Sequence, residues 1–193
     1  MSALTLTLDP VVQVSREQFY QICANNPDLQ LERNASGELV IMSPTGSETS
    51  SWNSDLTTDL NIWNRQNLTG KVFDSSGGFS LPNGADRSPD AAWIPIEKWN
   101  AFTPEQRKKF LPICPDFALE LLSPSDSWLK GQLKMQEYMD NGCRLGWLID
   151  PENKRVAIYR IGQPVEVLET PSNLSGEDVL QGFMLNLENI WSS

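Results

Sequence analysis

The clearest periodic pattern lies between residues 47 and 67, where polar residues surround a single apolar stripe. The stripe consists of Trp52, Leu56, Leu60 and Trp63. Because these residues recur at spacings of four, four and three, they share one face of a helix. The pattern therefore predicts a long helix that buries this stripe and ends before Gly70.

Two further segments carry helix signals. Ser15 is followed three residues later by Gln18, which is the spacing of a capping box and predicts a short amphipathic helix over 15–26. The segment 128–142 is rich in helix-forming residues and ends at Gly142, a residue type that often terminates helices. We expect each of these helices to cover part of the core.

The remaining apolar runs predict strands. They lie near 29–33 and 38–42, at 71–75 and 78–81, at 90–94, 116–122, 143–150 and 155–160, and near 164–169 and 178–184. The first two alternate on either side of turn residues, which predicts a hairpin, and the next two are joined by a Gly-Gly turn. Three prolines in 95–112 predict a loop with a short helix. With no linker or repeat, the pattern predicts one mixed α/β domain over 1–193.

Composition is that of an ordinary globular protein. The 193 residues are 39% hydrophobic and 21% charged, and no apolar stretch is long enough to span a membrane. The first residues show no export signal, so we expect a cytoplasmic protein that does not associate with membranes. Cys23, Cys114 and Cys143 are widely spaced and match no zinc motif, which predicts buried reduced thiols.

Two features of the composition limit the chemistry. The chain has no histidine, which excludes Ser-His-Asp and Cys-His mechanisms and histidine-based metal sites. Catalysis must then use carboxylates, lysine, hydroxyls or a metal held by oxygen atoms. The net charge of 15 − 25 = −10 argues against tight nonspecific binding of DNA, since that affinity comes from neutralising phosphates.

One set of charged residues could hold a metal and act on a phosphate. Glu120 lies in the middle of the apolar strand predicted over 116–122, where a carboxylate is costly unless it is paired or bound to a cation. Asp90 begins another predicted strand. Lys130 and Lys134 share one face of the following helix. Two carboxylates with a nearby lysine suit a hard cation such as Mg²⁺ and the hydrolysis of a phosphodiester.

Three segments containing these residues carry a resemblance to a known family. They read SPDAAWI, PDFALELLSPSD and LKGQLKMQEYMDNGCRLGWLIDPENKRVAIYR, and the likeness extends upstream to LVIMSPTGSETS. From about residue 15 to 185 the chain resembles the Uma-two family of restriction-endonuclease-like proteins. The resemblance implies a PD-(D/E)xK nuclease core, with a mixed central sheet flanked by helices. It also implies that Asp90 and Glu120 are the first and second metal-binding acids.

The chain departs from the wider nuclease superfamily at one position. The usual lysine lies two residues after the second acid, where this chain has Leu122. The Uma-two pattern implies instead a lysine on the next helix, which Lys134 matches. Glu48 stands where the family often has a histidine or an acid, and could add a metal ligand directly or through water. The expected activity is a Mg²⁺- or Mn²⁺-dependent endonuclease acting on DNA, as a homodimer because duplex cleavage requires two nicks.

Simpler interpretations remain open from the sequence. Asp90 could be a turn residue at the start of its strand, and Lys134 could pair with Glu137 or Asp126 on the surface. Glu48 could simply favour a helix N-terminus through the helix dipole. The alternative functions are a catalytically inactive nuclease fold that serves as a binding or regulatory module, and a structural interaction protein.

Overall fold

The computed structural model describes residues 4–6 and 12–192. The helices are α1 (Arg16–Asn25), α2 (Ser47–Asn67), α3 (Ile96–Asn100), α4 (Trp128–Asp140) and α5 (Glu188–Trp191), with a 3₁₀ turn at Gln106–Lys108. The strands are β1 (Leu4–Leu6), β2 (Leu31–Arg33), β3 (Leu39–Ile41), β4 (Gly70–Asp74), β5 (Phe79–Ser80), β6 (Asp86–Arg87), β7 (Ala91–Pro95), β8 (Phe117–Leu121), β9 (Leu145–Asp150), β10 (Arg155–Arg160), β11 (Glu166–Glu169), β12 (Asn173–Ser175) and β13 (Met184–Asn186).

The central sheet has six strands in the order β11-β10-β9-β8-β7-β4. Strands β8 and β9 run parallel, as the crossover through α4 requires, and the other neighbours are antiparallel. A second, five-stranded sheet has the order β1-β3-β2-β6-β5, and β12 pairs with β13. The predicted α/β class with a mixed central sheet and flanking helices is confirmed.

Helices cover both faces of the central sheet. Leu56, Leu60 and Trp63 of the predicted stripe are buried in the core cluster on one face, together with Phe117 and Leu119 of β8. The opposite face of the sheet is covered by α4. Because β8 is buried on both faces, its apolar side chains alternate between the two clusters, with Phe117, Leu119 and Leu121 in one and Ala118 in the other.

The packing of α4 depends on a glycine. A Cβ atom added at Gly131 would lie 2.8 Å from Leu148 Cδ1 of β9, closer than real Cβ contacts allow. The absence of a side chain at this position lets α4 approach the sheet closely. On the same helix, Met135 and Tyr138 are fully buried against the sheet. The close approach of α4 sets the distance between β8 and Lys134, which lies between Gly131 and Met135 on the helix.

The second sheet is anchored by a buried ion cluster. Asp86 of β6 is fully buried and lies opposite Arg33 of β2. Its carboxylate accepts hydrogen bonds from Arg33 at 2.8 Å and from Arg16 of α1 at 3.2 Å, and also from the hydroxyl of Ser80. Every partner is a donor, so the buried charge of Asp86 is fully compensated.

Several local predictions differ from the structure. The predicted strands 71–75 and 78–81 correspond to β4 and β5, but β4 pairs with β7 and β5 pairs with β6. The strand predicted near 178–184 is wrong up to residue 183, because this part of the chain turns between β12 and β13, and only Met184 belongs to a strand. Its apolar residues are buried all the same, while Gly182 adopts a positive φ of 78° that no strand accommodates.

Within residues 4–6 and 12–192, no helix combines the length and the apolar character needed to cross a lipid bilayer. The longest helix, α2, carries a buried stripe, and apart from the exposed Ile62 the rest of its surface is mainly polar.

Candidate active site

Two neighbouring strands of the central sheet bring Asp90 and Glu120 together. Ala91 of β7 lies opposite Leu119 of β8 in an antiparallel register, so Asp90, directly before β7, lies level with Glu120. Side chains that lie opposite each other on adjacent strands point to the same face. The backbone N–H of Leu121 donates a hydrogen bond to Asp90 Oδ2 at 2.8 Å. This bond fixes the carboxylate of Asp90 against the end of β8.

Lys134 reaches the same place from α4. Its Nζ atom lies 3.0 Å from Glu120 Oε1 and 3.1 Å from Glu120 Oε2, so the ammonium group caps the carboxylate. The hydroxyl of Tyr138, four residues further along the helix, donates to Glu120 Oε1 at 2.9 Å. The structure therefore brings Asp90, Glu120 and Lys134 into one group.

A third carboxylate of this group, that of Glu32, is not among the residues that the sequence pattern indicates. Glu32 of β2 is 2% exposed and lies 2.9 Å from Lys134 Nζ through its Oε1 atom. The alternating pattern of 29–33 predicted a strand but placed Glu32 on its polar face. No signal in the sequence shows that this face is covered, because Glu32 of the second sheet meets Lys134 of α4, about 100 residues away in the chain.

Arg87 of β6, in the second sheet, forms ion pairs with two glutamates next to this group. Its guanidinium donates to Glu32 Oε2 at 3.0 Å and to Glu137 Oε2 of α4 at 2.6 Å. Glu137 is thereby paired with Arg87, and Lys134 is paired with Glu32 and Glu120. The alternative of a surface pair between Lys134 and Glu137 or Asp126 is wrong.

The carboxylates of this group titrate differently because their partners differ. Burial raises the pKa of Asp90, and the nearby charge of Glu32 adds to the shift. Burial also raises the pKa of Glu120 to about 8, against the attraction of Lys134 and with the repulsion of Asp90 and Glu32. For Glu32, the charges of Lys134 and Arg87 outweigh burial and hold its pKa below the usual range. Asp90 and Glu120 thus carry an uncompensated cost of ionisation.

Lys134 remains a cation in this environment. Burial favours the neutral amine, but the charges of Glu120 and Glu32 outweigh it and raise the pKa of Lys134 above its ordinary value. The group is therefore an ammonium at neutral pH, and it can donate hydrogen bonds but cannot accept a proton.

The charged group forms the floor of a cleft of about 430 Å³. One wall is formed by residues 42–46 and the start of α2, and the other by residues 123–127 and α4. A second depression of about 460 Å³ lies along α2 and shares Thr45, Asn53 and Asp90 with the cleft. The two depressions meet at Asp90, so an extended ligand could pass over the acidic floor.

The donor set fits a hard divalent cation. Among the described residues, no three Asp, Glu, Cys or His side chains are grouped so as to hold a metal. Mg²⁺, however, usually takes only one or two protein carboxylates and keeps several waters. Asn53 donates from Nδ2 to Asp90 Oδ1 at 3.2 Å, and its own Oδ1 is buried without a hydrogen-bond partner in the described part of the chain. A buried amide oxygen on a side chain that already contacts Asp90 is a further suitable ligand.

Glu48 and Lys130 take more peripheral positions. Glu48 is exposed in the first turn of α2, and the residues of α2 that line the cleft include Thr49 and Asn53 but not Glu48. Glu48 as a metal ligand, directly or through water, stays a prediction. Lys130 lines the cleft one turn before Lys134 and is exposed to solvent.

Comparison with known proteins gives one family match and one structural match. The family model Uma2, described as "Putative restriction endonuclease", matches residues 16–188. A crystal structure from Anabaena variabilis ATCC 29413, described as a "putative nuclease belonging to DUF820", is similar with a TM-score of 0.76. The two chains are 20% identical over 93% of this chain and 98% of that one, a likeness that shows the fold. The search of curated proteins gives no match.

Proposed function

We propose, because this chain belongs to the Uma2 restriction endonuclease family, that it is a metal-dependent endonuclease that hydrolyses phosphodiester bonds of DNA. The observation that carries the proposal is the convergence of Asp90, Glu120 and Lys134 on the floor of one cleft. Two carboxylates with raised pKa values beside a fixed ammonium group suit a bound cation and a phosphate better than a purely structural role.

The proposed metal ligands are Asp90 and Glu120, with Asn53 Oδ1 as a further oxygen donor. Glu48 remains a candidate ligand, either directly or through water. Mg²⁺ or Mn²⁺, when bound, supplies Lewis acidity toward the phosphate and lowers the pKa of bound water. The excess of carboxylates over cations on the cleft floor supports this assignment, since a divalent ion would remove the cost of ionising Asp90 and Glu120.

We assign Lys134 the role of a charged hydrogen-bond donor. Its raised pKa keeps it protonated, so it is not the base that activates the water. An ammonium group fixed by two carboxylates can orient the attacking water or stabilise negative charge that develops on the phosphate. In this role, a lysine carried by α4 can take the place of the usual superfamily lysine, whose position is occupied here by Leu122.

The partners follow from the proposed reaction. A double-strand break requires two nicks, so we propose a homodimer in which each copy cleaves one strand. With a net charge of −10, binding of DNA should be weak outside the cleft.

Incubation of plasmid DNA with the purified protein and Mg²⁺ or Mn²⁺ tests the proposal. We expect nicked and linear products from the wild type and none from Glu120→Gln, which keeps the size of the side chain but removes its charge. Asp116→Asn is the matched control, because Asp116 is equally buried just before β8 but pairs with Lys98 at 2.8 Å, away from the cleft. Absence of cleavage by folded wild type with either metal would favour the inactive binding or regulatory module.

A further inference from the structure

The side chain of Glu32, from β2 of the second sheet, lines the floor of the cleft. Its Oε1 atom accepts from Lys134 at 2.9 Å and from the backbone N–H of Ser88 at 2.9 Å, and its Oε2 accepts from Arg87 at 3.0 Å. Both oxygens are therefore occupied by donors. A carboxylate whose two oxygens already accept hydrogen bonds is poorly suited to bind a metal, although Glu32 lines the same cleft as Asp90.

The contacts of Glu32 fix the direction of a flexible side chain. A lysine ammonium has three N–H donors on a stem of four carbons, so a single partner would leave it able to rotate. In Lys134, the ammonium contacts Glu32 Oε1 at 2.9 Å and the two oxygens of Glu120 at 3.0 and 3.1 Å, so two carboxylates hold it. One N–H shared between the two oxygens of Glu120 would leave the third N–H for a ligand in the cleft, which Lys134 lines.

Glu32 is itself held in place by the chain around it. Arg87 bridges Glu32 and Glu137, and Glu137 lies three residues after Lys134 on α4. Charges of alternating sign thus run from Glu137 through Arg87, Glu32 and Lys134 to Glu120. The bond from Ser88 also ties Glu32 to the segment that leads into Asp90. One carboxylate therefore links the lysine and the first metal-binding acid.

We infer that Glu32, supported by Arg87, is a positioning residue that aims the Lys134 ammonium at the reacting phosphate. The inference rests on the proposed function and adds to it a residue from outside the central sheet. Glu32 acts through Lys134 and does not touch the substrate. Its removal should lower turnover more than it lowers affinity for substrate or metal, because Asp90 and Glu120 remain in place.

Steady-state cleavage by Glu32→Gln tests this inference. We expect kcat to fall about 10- to 100-fold, as is common when an outer hydrogen-bond partner of a metal site is removed. The KM and the metal concentration for half-maximal rate should change much less than kcat. Asp116→Asn again provides the control, since it removes a buried, paired carboxylate of similar exposure without contact to Lys134. An equal loss of kcat in both variants, or an unchanged kcat in Glu32→Gln, would overturn the inference.

A second measurement does not require turnover. Acylation of lysines, followed by mass spectrometry, should be slow at Lys134 in the wild type because both ion pairs hold its ammonium. In Glu32→Gln it should become faster relative to Lys130, an exposed lysine on the same helix, and in Asp116→Asn the ratio should not change. If the wild type does not cleave DNA, the proposed function fails while this ratio still decides the role of Glu32. An unchanged ratio would show that Glu32 does not hold Lys134.

Arg87→Lys covers the case in which Glu32→Gln does not fold. A lysine keeps the charge but cannot bridge Glu32 and Glu137 as a planar guanidinium does. We expect the same direction of change in kcat and in Lys134 acylation, with a smaller size. A folded Arg87→Lys protein that matches the wild type in both measurements would refute the supporting role of Arg87 and, with it, the inference.

Discussion

Asp86 and Asp90 lie four residues apart in the sequence, yet their carboxylates occupy opposite kinds of environment. Asp86 is fully buried in the second sheet, where Arg16 and Arg33 both donate to it. Asp90 lies at the cleft floor, where its hydrogen-bond donors are a backbone N–H and the amide of Asn53, both of them neutral. Burial consequently raises the pKa of Asp90.

The balance of charge separates a structural cluster from a site that can accept a cation. Two guanidinium groups surround the single carboxylate of Asp86. On the cleft floor three carboxylates, those of Glu32, Asp90 and Glu120, face Lys134 and an Arg87 that is shared with Glu137. A buried acid whose neighbours already neutralise it gains little from a metal, whereas an excess of acids is stabilised by one.

The largest contrast should appear in catalysis. Asp90→Asn should lower the rate of DNA cleavage by at least about 100-fold, the upper end of what loss of even an outer partner of a metal site costs. Asp86→Asn should cleave at nearly the wild-type rate per folded molecule, because Asp86 does not reach the cleft. The measurement is the initial rate on plasmid at a temperature at which circular dichroism shows both variants folded. Similar losses in the two variants would remove the distinction between the two acids.

Stability should show the reverse order. Asp86→Ala leaves Arg33 buried without its partner, and breaking such a buried pair costs about 3–5 kcal/mol. Asp90→Asn should change the free energy of unfolding by no more than about 1 kcal/mol, since it replaces a carboxylate that is costly to ionise with a neutral group that keeps one acceptor. Urea unfolding in the presence of a chelator measures both values. A strong destabilisation by Asp90→Asn would show that Asp90 has a structural role.

Metal binding should distinguish the two regions directly. At a Mn²⁺ concentration 100 times its dissociation constant, the folded state gains about 2.7 kcal/mol, which corresponds to a rise in Tm of several degrees. We expect this rise in the wild type and in Asp86→Asn, and its loss in Asp90→Asn and Glu120→Gln. Differential scanning fluorimetry with and without Mn²⁺ provides the values. A rise that survives in Glu120→Gln would place the metal elsewhere.

Part of the site could be predicted because its signal is local. Glu120 was found because a carboxylate inside a continuous apolar strand needs a partner, and the buried strand β8 confirms that environment. Asp90 and Lys134 were selected by family resemblance, and their contacts with the rest of the group agree with that choice. The helices α2 and α4 and the strands β8 to β10 also follow from periodicity that extends over many residues.

The parts that could not be predicted depend on contacts between distant segments. Glu32 and Asp86 have ordinary polar positions in short strands, and their burial results from the packing of β2 and β6 in the second sheet. In 178–184, apolar residues are buried by turns that a periodic pattern does not distinguish from a strand. Ion pairs between segments that are distant in the chain leave no regular spacing in the sequence.

The smallest effect should come from Glu48, the remaining predicted ligand. Its carboxylate is exposed in the first turn of α2, where salt screens its field and water competes for its oxygens. We expect Glu48→Gln to weaken Mn²⁺ binding in the thermal shift assay by no more than about threefold, equivalent to less than 1 kcal/mol. A loss as large as that of Asp90→Asn would instead mean that α2 moves toward the cleft when metal binds. Glu48 would then belong with the acids that are poorly compensated without metal.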